Sequence, residues 1–322
     1  MVDFRGRRRP PRGRAAPDAA AAHPTPAPDE ARALDEAIGD IDWHVFAPGT
    51  ERTTVDAPSG PLAHVAAGPA DGPRVLLIPG ATGSKEDFVL MMPVFVAAGY
   101  RVESYDLAGQ YESDGAGPEH LVPPRERYDE QLFLDDLFAV LGRGSAPAHV
   151  LGYSFAGTLA QLAMVSRPEL FASLTLLSAP PEPGQAFHGV KIIGPVSDLA
   201  PAKVGAGLMI WGIRRNFNRV RPGRIAFVRE RFARTRRASV DDIIGLMMET
   251  PDLREAVRAV PVPKLVAVGE HDLWPIESHA AFATAIGADL AVYPTGHSPC
   301  ETTPHQLTRD MLALFVRSGY TA

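Results

Sequence analysis

A hydroxyl, an imidazole and a carboxylate can together make serine a nucleophile, and this 322-residue chain offers such a set at three strand ends. Ser154 lies in "VLGYSFAGTLAQLA" (residues 150–163), where an apolar run stops and a helical pattern starts at once. Asp272 follows "KLVAVGEH", and His297 follows "LAVYPTG", two further runs that read as strands. A serine hydroxyl is a poor nucleophile at neutral pH unless a base takes its proton and a third group orients that base. Histidine as base and aspartate as its anchor meet that need, and the chemistry they support is acyl transfer.

Small residues crowd the serine: Gly152, Ala156 and Gly157. On a sharp strand-to-helix turn the backbone is strained, and side chains two positions before and after the serine would collide across it. The helix that follows also aims its first amides at a reacting carbonyl. Plainer readings exist for each residue. A serine among glycines makes turns, and a loop aspartate commonly bonds local backbone. The ordered set favours catalysis for Ser154, His297 and Asp272. Glu270, in the same loop as Asp272, and Glu182, after the preceding strand, are the alternative acids. His271 reads as structural and Cys300 as a small buried hydrophobe. No His, Cys or acidic spacing suggests a metal site, and Gly80 and Gly83 lack the G-K-[ST] of a phosphate loop. No cofactor is expected.

The elements that must hold these residues alternate in type. Two short strands joined at Ser59-Gly60 precede the buried run "VLLIPG"; "YRVESYDLAG", "AHVLGYS" and "ASLTLLSA" are further strands. Helical patterns in "EDFVLMMPVFVAAG", "YDEQLFLDDLFAVLG" and "AGTLAQLAMVSRP" separate them. This alternation predicts an α/β fold, a mostly parallel twisted sheet flanked by helices, with ligands at the carboxyl ends of its strands. The rhythm breaks over residues 181–260, which carry helical patterns and no convincing strand, and then resumes. The expected organisation is therefore a core of residues 41–180 and 261–322 with a helical cap over 181–260. Residues 1–40, rich in Arg, Pro and Ala, are expected to be a disordered tail.

Composition sets the outer limits. With 45% hydrophobic and 22% charged residues the chain can bury a substantial core without staples. Its single cysteine, Cys300, excludes an intrachain disulfide and suits a reducing compartment. No apolar run approaches a membrane span, and the arginine pairs near the start are not followed by the apolar stretch of an export signal. A cytoplasmic, soluble protein is expected. Residues 1–14 hold six arginines and one aspartate, so removing their +5 from the net −6 leaves −11 on the rest. Such an acidic body argues against a general nucleic-acid binder.

Five short motifs in order give the chain a family resemblance over roughly residues 50–320. "GYSFAG" resembles the G-x-S-x-G elbow of the α/β-hydrolase superfamily, with Ala156 for the last glycine. "IPGATGS" is similar to that family's loop after the third strand, with Pro79 for the usual histidine. "DLAGQYESDG" resembles its D-x-x-G-x-G-x-S turn, with Tyr111 where glycine is common. "GEHDLWP" and "GHSPCETTP" are similar to its acid and histidine loops, and the order Ser, Asp, His is the family's own. The resemblance implies an oxyanion hole made by the backbone N–H groups of Ala81 and Phe155. Pro79 cannot make the side-chain hydrogen bonds with which a histidine would brace that loop.

The reading is a metal-independent serine hydrolase that cleaves an ester or thioester with a hydrophobic portion through an acyl-enzyme. A cofactor-free perhydrolase or haloperoxidase-like enzyme, or a hydrolase of carbon–carbon bonds, could use the same three residues. A non-catalytic binding protein on this fold is a further alternative. Tyr153, Met209, Trp211, Met247 and Met248 are expected at the substrate, the last four as an adaptable apolar wall in the cap. Residues 214–237 contain ten arginines and one glutamate. The first reading of that segment is a solvated helical face with Ile225, Val228 and Phe232 packed inward. The second is a docking surface for an anionic acyl donor, acyl-coenzyme A or an acyl carrier protein.

Overall fold

The computed structural model describes residues 27–186 and 221–322, and an eight-stranded sheet runs through it. The strands are β1 (Glu51–Ala57), β2 (Gly60–Ala67), β3 (Arg74–Ile78), β4 (Arg101–Tyr105), β5 (Ala148–Tyr153), β6 (Phe171–Leu177), β7 (Lys264–Gly269) and β8 (Asp289–Tyr293). Their order in the sheet is β1-β2-β4-β3-β5-β6-β7-β8. β1, β2 and β4 pair antiparallel, and every pairing from β4 through β3 to β8 is parallel.

Both faces of the central strands are buried, which explains their unbroken apolar runs. Leu76, Ile78, Val150, Leu174, Leu176 and Val266 point into one core, and Val75, Leu77, Leu151, Leu177, Leu265 and Ala267 into the other. This is the period-two alternation of strands, seen on two covered faces. Helices α3 (Glu130–Leu141) and α4 (Phe155–Ser166) fill the first core, together with α8 (Ile276–Ile286). Helices α2 (Met92–Ala97) and α10 (Pro304–Ser318) fill the second. The helical pattern anticipated through residues 86–99 is split into a 3-10 turn, Lys85–Phe88, and α2. Pro93 explains the break, because its ring suits only a first helical turn.

The expected tail is corrected at its end. Residues 28–36 form helix α1 (Pro28–Glu36), while residues 1–26 lie outside the described residues. Pro28 in the first turn, with Asp29 and Glu30 beside it, is an ordinary helix start. Asp35 then reaches the beginning of α10, accepting from the backbone N–H groups of His305 (2.8 Å) and Gln306 (3.1 Å). A carboxylate there satisfies amides that a helix leaves unpaired.

Between β6 and β7 the described residues contain α5 (Pro222–Arg234), α6 (Arg237–Met247) and α7 (Arg254–Ala259). Three contacts hold α5 and α6 against the loop that follows β4: Thr235 Oγ1 accepts from Tyr111 N–H, Arg236 N–H donates to Gly109 O, and Ser239 Oγ donates to Ala108 O. These helices therefore lie at the carboxyl ends of the strands. Among the described residues no helix is long and apolar enough to cross a membrane.

Candidate active site

The turn at Ser154 takes one residue. β5 ends at Tyr153, α4 begins at Phe155, and Ser154 between them has φ 53° and ψ −121°. A non-glycine residue with positive φ is strained and persists only where its surroundings enforce it. Here Ser154 N–H donates to Leu177 O (2.8 Å), and Ser154 O accepts from Gly157 N–H (2.8 Å). The turn is so tight that a Cβ on Gly152 would lie 2.4 Å from Ala156 O. Ala156 itself is fully buried, so the small residues around the serine are a steric requirement of the turn.

The loops after β7 and β8 meet this turn. His297 Nε2 is 3.3 Å from Ser154 Oγ, and His297 Nδ1 is 2.8 Å from Asp272 Oδ1. Backbone bonds lock the two loops together, with Glu270 N–H donating to Tyr293 O and His271 N–H to Thr295 O. Burial pushes the Asp272 carboxyl up, but the charge and hydrogen bond of His297 outweigh it and hold the group below the ordinary value. His279 on α8 lies close enough to act on Asp272, and burial pushes its imidazole down to about 4. At neutral pH it therefore carries no charge to compete with His297. Trp274 packs edge-on against His297, ring centroids 5.7 Å apart, and its indole N–H donates to Ala186 O.

Ala81 belongs to the loop after β3, which passes close to the serine: a Cβ on Gly80 would lie 3.0 Å from Ser154 Cβ. Neither Ala81 N–H nor Phe155 N–H donates to an acceptor among the described residues, so both are available to a ligand oxygen. With proline at position 79, this loop is braced by charge. Lys85 Nζ reaches Asp106 (2.9 Å), Glu112 (2.7 Å) and Glu86 (3.0 Å), while Lys85 N–H donates to Asp106 Oδ1. Asp87 accepts from Arg224 and Arg231 of α5, each at 2.6 Å. These ion pairs were not anticipated from the sequence.

The other candidates are placed apart. Glu182 accepts from Ser278 Oγ at 2.8 Å, and Glu270 pairs with His271 at 3.3 Å, so neither is the carboxylate on His297. Cys300 is buried in the core against α10. Tyr153, expected at the substrate, is instead buried with its hydroxyl 2.8 Å from Ser298 Oγ and its ring against His297. Strand alternation is the reason, since Tyr153 shares the face of Leu151 and packs into the second core. Met247 is buried too: with Val240, Ile243 and Ile244 it completes the buried stripe of α6. Met248 is half-buried, and Met209 and Trp211 lie outside the described residues.

The arginine-rich segment follows its plainer reading only in part. Val228 and Phe232 are buried and Ile225 is half-buried. However, Arg224 and Arg231 are buried too, each on Asp87. Arg234 faces Glu112, Arg236 pairs with Glu119, and Arg237 with Asp241. Five arginines of the segment thus face carboxylates of the chain itself, and residues 214–220 lie outside the described residues.

Comparison with known proteins agrees with this architecture. Residues 75–310 match the model of the alpha/beta hydrolase family. An enol-lactonase from Burkholderia xenovorans superposes with a TM-score of 0.67 at 17% identity, covering 82% of this chain and 100% of that one. A bromoperoxidase from Bacillus anthracis gives 0.63 at 18% identity, covering 83% and 100%. The thioesterase domain from the curacin biosynthetic pathway gives 0.59 at 18% identity, covering 82% and 99%. The chain belongs to the alpha/beta hydrolase family and is an enzyme of the hydrolase class.

Proposed function

We propose that the chain is a serine hydrolase cleaving a carboxylic ester or thioester through an acyl-enzyme. The observation that carries this reading is the row from Ser154 through His297 to Asp272, at 3.3 Å and 2.8 Å. In this scheme Ser154 Oγ attacks the acyl carbon while its proton passes to His297 Nε2. The Nδ1–H of His297 donates to Asp272, whose depressed pKa keeps it ionised beside the imidazolium. The N–H groups of Ala81 and Phe155 receive the oxyanion. His297 then returns the proton to the leaving oxygen or sulfur, and water repeats the sequence to free the acid. Support for a hydrophobic portion in the substrate comes from the setting: Ser154 is 8% exposed, with Phe155 beside it and Trp274 against His297.

Within this reading a neutral acyl compound suits the site better than acyl-coenzyme A or an acyl carrier protein, because Arg224, Arg231 and Arg234 of α5 already face Asp87 and Glu112. The test is Ser154→Ala. It should keep the fold, abolish covalent labelling by a serine-directed phosphonate, and lower turnover on the order of 10³-fold or more. Undiminished labelling in that variant would remove Ser154 from the mechanism. A panel of nitrophenyl esters, acyl thioesters and β-diketones identifies the bond that is cleaved.

A further inference from the structure

Arg224 occupies a place that no helix-surface arginine needs. Its Nη2 donates to Asp87 Oδ1 at 2.6 Å and to Glu301 Oε1 at 2.5 Å. Asp87 sits in the turn Lys85–Phe88, on the loop that carries Ala81, and its Oδ2 accepts from Ser84 N–H at 3.2 Å. Glu301 lies in the short helix α9 (Pro299–Thr302), four residues after His297. Its neighbour Ser298 is the residue that meets the Tyr153 hydroxyl. The side chains of Arg224, Asp87 and Glu301 are 6%, 2% and 12% exposed, and Trp43 covers the guanidinium at 4.4 Å. Arg231 adds a second cation on Asp87, so two positive and two negative groups balance out of water.

We propose that Arg224 is a positioning residue that fixes the loop bearing the oxyanion donor Ala81 relative to the loop bearing the base His297. The proposal rests on the serine-hydrolase reading above. A buried pair contributes little net stability compared with an apolar replacement, yet breaking one partner is costly. Such a bridge therefore holds its two loops in one relation. The oxyanion donors and the base must both be placed relative to Ser154, and a shift on the order of 1 Å costs roughly 10²-fold in rate.

Glu301→Met removes the acceptor on the histidine loop and leaves Asp87 on both arginines. With a neutral nitrophenyl ester, kcat should fall roughly tenfold or more while KM stays within about twofold. Arg224→Met combined with Glu301→Met replaces the bridge by apolar side chains; thermal stability should return toward wild type, but the loss in kcat should persist. Should Glu301→Met fail to fold, the double variant carries the test alone. Wild-type kcat in Glu301→Met, or recovery of kcat together with Tm in the double variant, overturns the positioning role. Phosphonate labelling of the wild type separates the two layers. If Ser154 is labelled and these variants keep full kcat, only the Arg224 proposal fails; if Ser154 is not labelled, the serine-hydrolase reading fails and takes the proposal with it.

Discussion

Gly152→Ala adds one methyl group at the tightest point of the turn, and its effect follows from the geometry. The new Cβ would stand 2.4 Å from Ala156 O and 2.8 Å from Gly157 Cα, whereas ordinary contact begins near 3.4 Å. All these atoms are backbone, so relief requires the first turn of α4 to move by about 1 Å, the difference between 3.4 and 2.4. Gly152 does not have positive φ, so alanine suffers no conformational penalty there and the effect is purely steric. Overpacking of this kind costs about 1–3 kcal/mol of stability. The larger consequence is for catalysis, because the segment displaced carries Ser154 Oγ and the Phe155 N–H. Misplacement by about 1 Å should slow acyl transfer roughly 10²-fold. The assay is the second-order rate of phosphonate labelling at Ser154, with kcat/KM for a nitrophenyl ester and Tm measured on the same samples. Gly245→Ala in α6 is the matched control: its Cβ would meet nothing within 4 Å, so the same change should be neutral or stabilise by up to about 1 kcal/mol. A Gly152→Ala variant that labels and turns over at wild-type rates would refute the steric account of the turn.

Three further outcomes are expected. Asp272→Asn should preserve the loop but hold His297 in the wrong tautomer, lowering kcat by up to roughly 10⁴-fold, whereas Glu182→Gln, which keeps an oxygen for Ser278 and lies apart from His297, should be mild; the reverse ranking would move the acid to Glu182. Burial pushes His149 and His279 down to about 4 from 6.5, so their contribution to stability is complete above pH 6.5 and is lost as pH falls toward 4. Asp136, pushed up to about 6 by burial, works in the opposite sense, being most stabilising below its unfolded value of 3.8. Asp106, pushed up to about 7 by burial, acts in the same sense as Asp136, so the two aspartates offset the two histidines, and His279 alone contributes a fall of about 1.4 kcal/mol per pH unit near pH 5. His279→Leu, which removes a ring with no hydrogen-bond partner among the described residues, should remove that share of the slope in urea titrations at pH 7, 6 and 5, and an unaltered slope would exclude His279 as a source. Asp35→Ala should lower stability on the order of 1–2 kcal/mol by uncovering the first amides of α10; an unchanged Tm would show that α1 contributes no such cap.

What could be read in the sequence was local or periodic. The apolar runs at residues 74–78, 148–153 and 264–269 announce buried strands, and Gly152 and Ala156 announce a sharp turn between them and α4. The alternation that turns Tyr153 toward the second core was equally present in "HVLGY", but its place beside the serine suggested a substrate contact. Pro28, Asp29 and Glu30 carried a helix signal hidden by the alanine- and proline-rich residues before them. Arg224, Asp87 and Glu301 were illegible for a different reason. The partners are 137 and 77 residues from Arg224, and ion pairs across such distances leave no period in the chain. A run of arginines looks alike whether it faces water or a buried carboxylate.

The bond from Asp35 to the amides of His305 and Gln306 spans 270 and 271 residues. On a ribosome, α1 would be among the first described segments to emerge, yet the helix start it covers is translated about 270 residues later. At about 5–20 residues per second that interval lasts on the order of 15–50 s. During that time Asp35 waits without its partners, and His297 is also still to be made. The serine turn, by contrast, has its strand, helix and flanking glycines within residues 148–166, with the Leu177 carbonyl that holds it only a little further on. The proposed nucleophile can thus be shaped early, while the proposed acid and base, Asp272 and His297, are translated later. On the serine-hydrolase reading, a chain cut short before residue 297 would present the turn without its proposed base.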